Sequence, residues 1–153
     1  IVATSLMLLM TLTLAACGDE LQGEWVMSVD CQSAAGAQNL NCKQSGLKRV
    51  TYGLKLDGGA FELEERHDGQ PMYGWSGDYD HDVDKGAIRF RTCKSAHGCD
   101  MDVGPWEEVT WSGVTLSDDG VTLSARCDPD HSKASAASCF LSSASHAMTF
   151  ELQ

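Results

Sequence analysis

Apolar and polar residues alternate along much of the chain, which is the pattern of β-strands that bury one face. Leu54 and Leu56 are separated by a polar residue, and so are Phe61 and Leu63. Between these two runs lies the sequence Asp-Gly-Gly at 57–59, whose residues tolerate positive φ. The pattern therefore predicts a β-hairpin at this point of the chain.

The same alternation recurs to the end of the chain, with no long helical stripe and no linker to a second domain. The predicted strands span roughly 23–30, 48–56, 60–67, 72–80, 87–93, 106–116, 120–127 and 146–153. Strands with one apolar face, joined by tight turns, have to bury that face, and closing the sheet does so while removing both edges. We therefore expect an all-β domain at 23–153, folded as a single small antiparallel up-and-down β-barrel of about eight strands.

In such a barrel the connections between strands alternate between two ends. The connections at 31–47, 68–71, 94–105 and 128–145 fall at one end, the predicted mouth, and three of these four are long. The connections at the other end are all short. Binding usually lies in loops carried on a rigid scaffold, so the mouth is the predicted functional end.

Seven cysteines occur in the chain, and six of them follow the N-terminal region. An even number of cysteines in an exported chain indicates disulfide bonds. Sequence proximity favours three bridges at the mouth, each closing a short loop worth about 2–3 kcal/mol, while other pairings stay open. The favoured pairs are Cys31 with Cys42, Cys93 with Cys99, and Cys127 with Cys139. Zinc binding is the rival interpretation, and the lack of any Cys-x-x-Cys pair among the six argues against it.

An apolar run without charged residues fills positions 1–16 and is shorter than the roughly 20 residues that span a bilayer. The last three residues of this run and the cysteine after it form the sequence Leu-Ala-Ala-Cys at 14–17, which resembles the lipobox of bacterial lipoproteins. The resemblance implies a signal peptide at 1–16, lipid attachment to Cys17, and a short tether at 17–22. The alternative is an ordinary signal peptide with an unmodified cysteine.

The lipobox resemblance also implies a location. A lipid-anchored chain belongs to the bacterial cell envelope, and Gly18 directly after the cysteine favours the outer membrane. The protein would then face the periplasm or the cell exterior, with the membrane as its first partner.

The start of the first predicted strand, Gly23-Glu24-Trp25, resembles the Gly-x-Trp sequence of lipocalins and of bacterial lipocalin-like lipoproteins. The stretch 74–79 and the hairpin 111–123 resemble the middle strands of the same group. The resemblance implies a lipocalin-like barrel with Trp25 packed across its base. In lipocalins an arginine of a late strand often covers this tryptophan, but the last strand here has none. A likeness of fold does not identify a ligand.

Composition narrows the range of functions. The chain has 11 Lys and Arg against 22 Asp and Glu, and a net charge of −11 excludes a nucleic-acid partner because it repels phosphates. The Asp-rich turn from Asp80 does not match a calcium loop, whose sixth and twelfth positions are here Lys85 and Arg91. The Ser-rich tract at 132–147 carries no nucleophile motif. We therefore expect neither enzymatic activity nor a metal or cofactor.

Candidate binding residues lie at the mouth: His67, His97, Trp106, His131 and His146. The first hypothesis is a non-enzymatic module that binds a small or apolar ligand there, and it predicts an apolar cavity. The second is a protein-interaction module such as a protease or lysozyme inhibitor, because the stretch 21–25 and the Trp111 hairpin also resemble the metalloprotease-inhibitor group. The second hypothesis predicts a filled core and an exposed segment that contacts the partner.

Overall fold

A computed structural model of the protein describes residues 20–39, 41–43, 46–93, 106–127, 139 and 147–153. Within these ranges, the strands form one closed antiparallel barrel in chain order, as the alternation predicts. The eight strands are β1 (Gly23–Asp30), β2 (Arg49–Asp57), β3 (Ala60–His67), β4 (Gln70–Asp82), β5 (Ala87–Cys93), β6 (Trp106–Leu116), β7 (Thr122–Arg126) and β8 (Ala147–Leu152). The barrel closes where Trp25 and Val26 of β1 pair with Leu152 and Glu151 of β8.

Two local features differ from the prediction. The connection from β3 to β4 is a two-residue turn, Asp68-Gly69, in which both residues have positive φ, so β4 begins at Gln70 rather than at 72. A short helix α1 (Ala34–Gln38) and a single 3-10 turn (Asn41–Lys43) occupy a connection for which the sequence predicted only loop. No helix in the described ranges is both long and apolar enough to cross a membrane.

Aromatic rings fill the middle of the barrel. The ring of Phe90 lies 4.9 Å from that of Phe61 and 4.6 Å from that of Trp111, and Trp111 stacks on Phe150 at 5.7 Å. These residues come from β3, β5, β6 and β8, so their contacts join strands around the barrel. Trp25 is buried, and its indole Nε1 donates to the Leu21 carbonyl at 2.9 Å. The described core is therefore a packed interior of large side chains.

The two ends of the barrel differ as predicted. At the turn end, the connections 58–59, 83–86 and 117–121 are short. At the opposite end, which is the predicted mouth and which we call the bridged end, β1, β3, β5 and β7 end and β2, β4, β6 and β8 begin. Disulfides Cys31–Cys42 and Cys127–Cys139 confirm two of the predicted bridges at this end. The predicted Cys93–Cys99 bridge lies outside the described residues, because Cys99 does.

The Asp-rich segment near the turn end pairs with basic residues. Asp80 faces Arg89 directly across β4 and β5, with 3.1 Å between Oδ2 and Nη2. Asp82 contacts the Lys85 ammonium group at 2.7 Å. These side chains are largely exposed, and exposed pairs add little to stability. The segment is therefore a solvated surface in which carboxylates meet cations.

Candidate functional site

The bridged end is built on a tightly turned segment that follows β1. Ser33 caps α1, because its Oγ accepts a hydrogen bond from the Gly36 amide at 3.0 Å. Gly36 lies so close to the Asp30 carbonyl that a Cβ at this position would collide with it. The Cys31–Cys42 bridge then closes the segment. The N-cap of α1, the close contact between Gly36 and the Asp30 carbonyl, and the disulfide thus hold this segment on the barrel.

Asn39 and Asn41 extend from this segment into the barrel and are both buried. The Asn39 side-chain oxygen accepts a hydrogen bond from the Asn41 backbone N–H at 2.9 Å, which orients the Asn39 side chain. Asn39 Nδ2 donates to the Tyr52 hydroxyl at 3.2 Å, and Asn41 Nδ2 donates to Glu65 Oε1 at 2.5 Å. The bridged segment is therefore hydrogen-bonded to β2 and β3 inside the barrel.

A carboxyl–imidazole pair lies at the centre of this network. Glu65 is 0 % exposed, and its Oε1 lies 2.6 Å from Nε2 of the buried His67. The two residues are two positions apart on β3, so they share the inward face of the strand. Glu65 Oε2 is buried and has no hydrogen-bond partner among the described residues. An acid and a base thus meet at a buried position near the end of β3.

The surroundings of Glu65 favour its neutral form. Burial raises the pKa of the Glu65 carboxyl above its ordinary value, and the hydrogen bonds with His67 and Asn41 oppose that rise. Burial also raises the pKa of the Tyr52 hydroxyl, against the hydrogen bond from Asn39. Burial therefore acts on the Glu65 carboxyl and the Tyr52 hydroxyl in the same direction, toward the protonated form.

This arrangement predicts a specific pH dependence of stability. Between the ordinary carboxyl pKa of about 4.3 and its raised value, folded Glu65 holds a proton that the unfolded chain has released. Rising pH should therefore lower the free energy of unfolding across that window. Glu65→Gln keeps the shape but does not titrate, so urea unfolding over about pH 4 to 8 should show a flatter profile.

The exposed Glu62, on the outward face of the same strand, supplies the control. Glu62→Gln should retain the pH profile of the unmodified protein. A profile of Glu65→Gln that matches the unmodified protein would show that Glu65 does not carry this dependence.

Two large exposed side chains lie in β4 where this strand pairs with the end of β3 that carries Glu65. Glu65 pairs with Tyr73 and Arg66 pairs with Pro71, so Met72 is the extra residue of a β-bulge in β4. Met72 is 50 % exposed and Tyr73 is 51 % exposed. The Tyr73 ring lies 6.3 Å from the His67 ring. We call Met72 and Tyr73 the hydrophobic rim.

The structure places only some of the predicted site residues. His67 lies at the end of β3 and contacts Glu65, and Trp106 begins β6 at the bridged end, paired with Cys93. His97, His131 and His146 lie outside the described residues. Within the described ranges, no three or more His, Cys, Asp or Glu side chains come together in a way that would hold a metal ion.

Sequence reasoning did not single out Glu65, Asn39, Asn41 or the hydrophobic rim. A signal for Glu65 was nevertheless present. The inward series Phe61, Leu63 continues with a period of two to Glu65 and His67, which places two titratable groups inside the barrel. An ionisable residue at an inward strand position indicates a special site, because it is costly to bury.

Comparison of the chain with protein-family models, with curated proteins and with solved structures finds no match. The fold and the site themselves define the class of protein. It is a disulfide-bridged, eight-stranded antiparallel β-barrel with a filled aromatic core. A buried carboxyl–imidazole pair and an exposed hydrophobic rim lie together at its bridged end.

Proposed function

We propose that the protein is a lipid-anchored, non-enzymatic binding module of the bacterial cell envelope that contacts a protein partner through its bridged end. The observation that carries this proposal is the hydrophobic rim. Met72 and Tyr73 are half exposed, side by side, on a bulge of a rigid barrel. Exposed methionine and tyrosine are enriched at protein–protein interfaces, where aromatic anchors supply much of the binding energy.

The interior of the barrel favours a protein partner over an apolar ligand held inside. The rings of Phe90, Trp111 and Phe150 occupy the middle of the described core. Between that core and the bridged end lies the polar network of Glu65 and its neighbours. An apolar ligand entering there would break hydrogen bonds of buried groups, at about 1–3 kcal/mol for each group left unpaired. Contact at the rim carries no such cost.

The N-terminal region supports the envelope location and the orientation. The lipobox resemblance at 14–17 implies an anchor on Cys17, and five residues, 18–22, separate it from β1, which begins at the turn end. A fully extended tether of this length reaches only about 20 Å. The lipid would therefore keep the turn end near the membrane and direct the bridged end away from it. Cys17→Ser should abolish lipid labelling and membrane association of the protein.

Affinity capture from envelope extract tests the rim. The double variant Met72→Ser, Tyr73→Ser should lose the partner that the unmodified protein retains. The matched control is Val83→Ser, Val121→Ser, which removes two exposed apolar side chains, 73 % and 42 % exposed, at the turn end. Control and unmodified protein should recover the same partner in equal amount.

Native mass spectrometry on the same material distinguishes the alternatives. Equal capture by both double variants would contradict the role of the rim. A small molecule retained in stoichiometric amount, with no protein partner, would instead favour a ligand-binding barrel.

A further inference from the structure

An open groove of about 600 Å³ lies on the outer wall of the barrel, across β1 to β4. We call it the wall groove. Its floor is a row of outward residues paired across the four strands: Val26, Gly53, Glu64 and Gly74. The adjacent row, nearer the turn end, consists of Glu24, Lys55, Glu62 and Ser76. The groove is thus separate from the bridged end and faces solvent.

The two glycines in the floor are not required by the barrel. Neither Gly53 nor Gly74 has a positive φ. A Cβ on Gly53 would meet no atom within 4 Å, and one on Gly74 would lie 3.9 Å from the Leu63 carbonyl, an ordinary contact. Gly77 differs, because a Cβ there would collide with the Arg91 carbonyl.

Glycine inside a strand weakens it, and it often marks a place where another molecule approaches the backbone closely. Gly53 and Gly74 lie on either side of Glu64 in the same row, so their missing side chains leave a gap on each side of the Glu64 side chain. Val26, half-buried, forms an apolar edge of the gap over Gly53. That gap has room for an alkyl chain lying on the sheet.

The charges around the groove favour a cation, because three carboxylates outnumber the Lys55 ammonium group and the Arg66 guanidinium. Three carboxylates, on Glu24, Glu62 and Glu64, line it with a single ammonium group, on Lys55. Glu64 pairs with Arg66 at 2.6 Å, whereas Glu24 and Glu62 make no ion pair in the described part of the chain. The net charge of −11 adds to the negative potential. A second copy of this chain, with the same charge, is repelled.

We propose that the wall groove binds a lysine or arginine side chain carried on an extended segment of a protein partner. Such a side chain has an apolar stem and a charged head, and it covers apolar surface while keeping its charge near polar groups. The stem lies on Gly53 between Val26 and Glu64, and the head reaches Glu62. This surface does not depend on the hydrophobic rim, and either proposal can fail alone.

Nuclear magnetic resonance titration of the isotope-labelled, detergent-solubilised full chain tests the proposal directly. The probe is the peptide acetyl-Val-Lys-Val-amide, and its control is acetyl-Val-Gln-Val-amide. The lysine peptide should shift the amide signals of Val26, Gly53, Glu64 and Gly74 in a saturable way, while the glutamine peptide should not. Equal shifts with both peptides, or none at the groove, would overturn the assignment.

Variants separate occupancy of the groove from damage to the fold. Gly53→Val fills the floor and should abolish the saturable shifts without lowering the melting temperature, because β-branched residues suit strands and the space is open. Glu62→Gln should weaken binding. Thr51→Val lies on the same face of β2, one row nearer the bridged end, and should bind as the unmodified protein does. Retained binding by Gly53→Val would refute the proposal.

Discussion

Trp111→Ala is expected to lower the free energy of unfolding by about 3–5 kcal/mol, the cost of removing a large aromatic side chain from a packed core. Trp111 is fully buried, and its rings contact both Phe90 and Phe150. The substitution removes the indole ring that contacts both phenylalanine rings and leaves a cavity in its place. A typical domain has only about 5–15 kcal/mol of stability, so this single change removes a large share of it.

Urea unfolding of the purified protein measures the effect through the transition midpoint at constant slope. Tyr73→Ala provides the control, because that ring is 51 % exposed and its truncation should cost less than about 1 kcal/mol. A loss at Trp111 no greater than that of the control would mean that the interior is not filled around this residue.

Removing the Cys31–Cys42 bridge should have the second largest effect. The bridge closes a loop with a sequence separation of 11 residues, and a loop of this size is worth about 3 kcal/mol in the chain-entropy account of disulfides. The bridge also holds the segment that carries Asn39 and Asn41 to Tyr52 and Glu65. Cys31→Ala, Cys42→Ala should therefore loosen the polar network as well as destabilise the chain.

Hydrogen exchange measured by mass spectrometry distinguishes the local loosening of the polar network from the global loss of stability. The double variant should lose amide protection at 31–43 and at Glu65–His67, whereas protection of β5 and β6 should change only by the global loss of stability. A uniform change across all strands would show that the bridge acts on the unfolded chain alone. Unchanged stability would contradict the entropic account of this bridge.

Much of the fold follows from the sequence because its determinants are local. The alternation of Leu54, Leu56, Phe61 and Leu63 predicts both strands of a hairpin, and the Asp-Gly-Gly turn predicts their junction. Because neighbouring strands run in opposite directions, the order of the connections along the chain then assigns each of them to one end of the barrel or the other. Proximity in sequence also predicts the two bridges of the described chain, since short separations are easily closed.

The site is less predictable because its parts meet only in the folded chain. The inward position of Glu65 follows from strand periodicity, but its partner Asn41 comes from a segment placed by a helix cap and a disulfide. Met72 and Tyr73 lie at a bulge, which is defined by the register between β3 and β4. Neither relation is encoded in the pattern of a single strand.

The most direct test of the central claim, that the bridged end is the contact surface, is site-specific photo-crosslinking in intact cells. A photoreactive phenylalanine at position 73 probes the hydrophobic rim, and the same residue at position 83 probes an exposed apolar site at the turn end. We predict a discrete protein adduct from position 73 and none from position 83. An adduct from position 83 alone, or no adduct from either position, would contradict the claim.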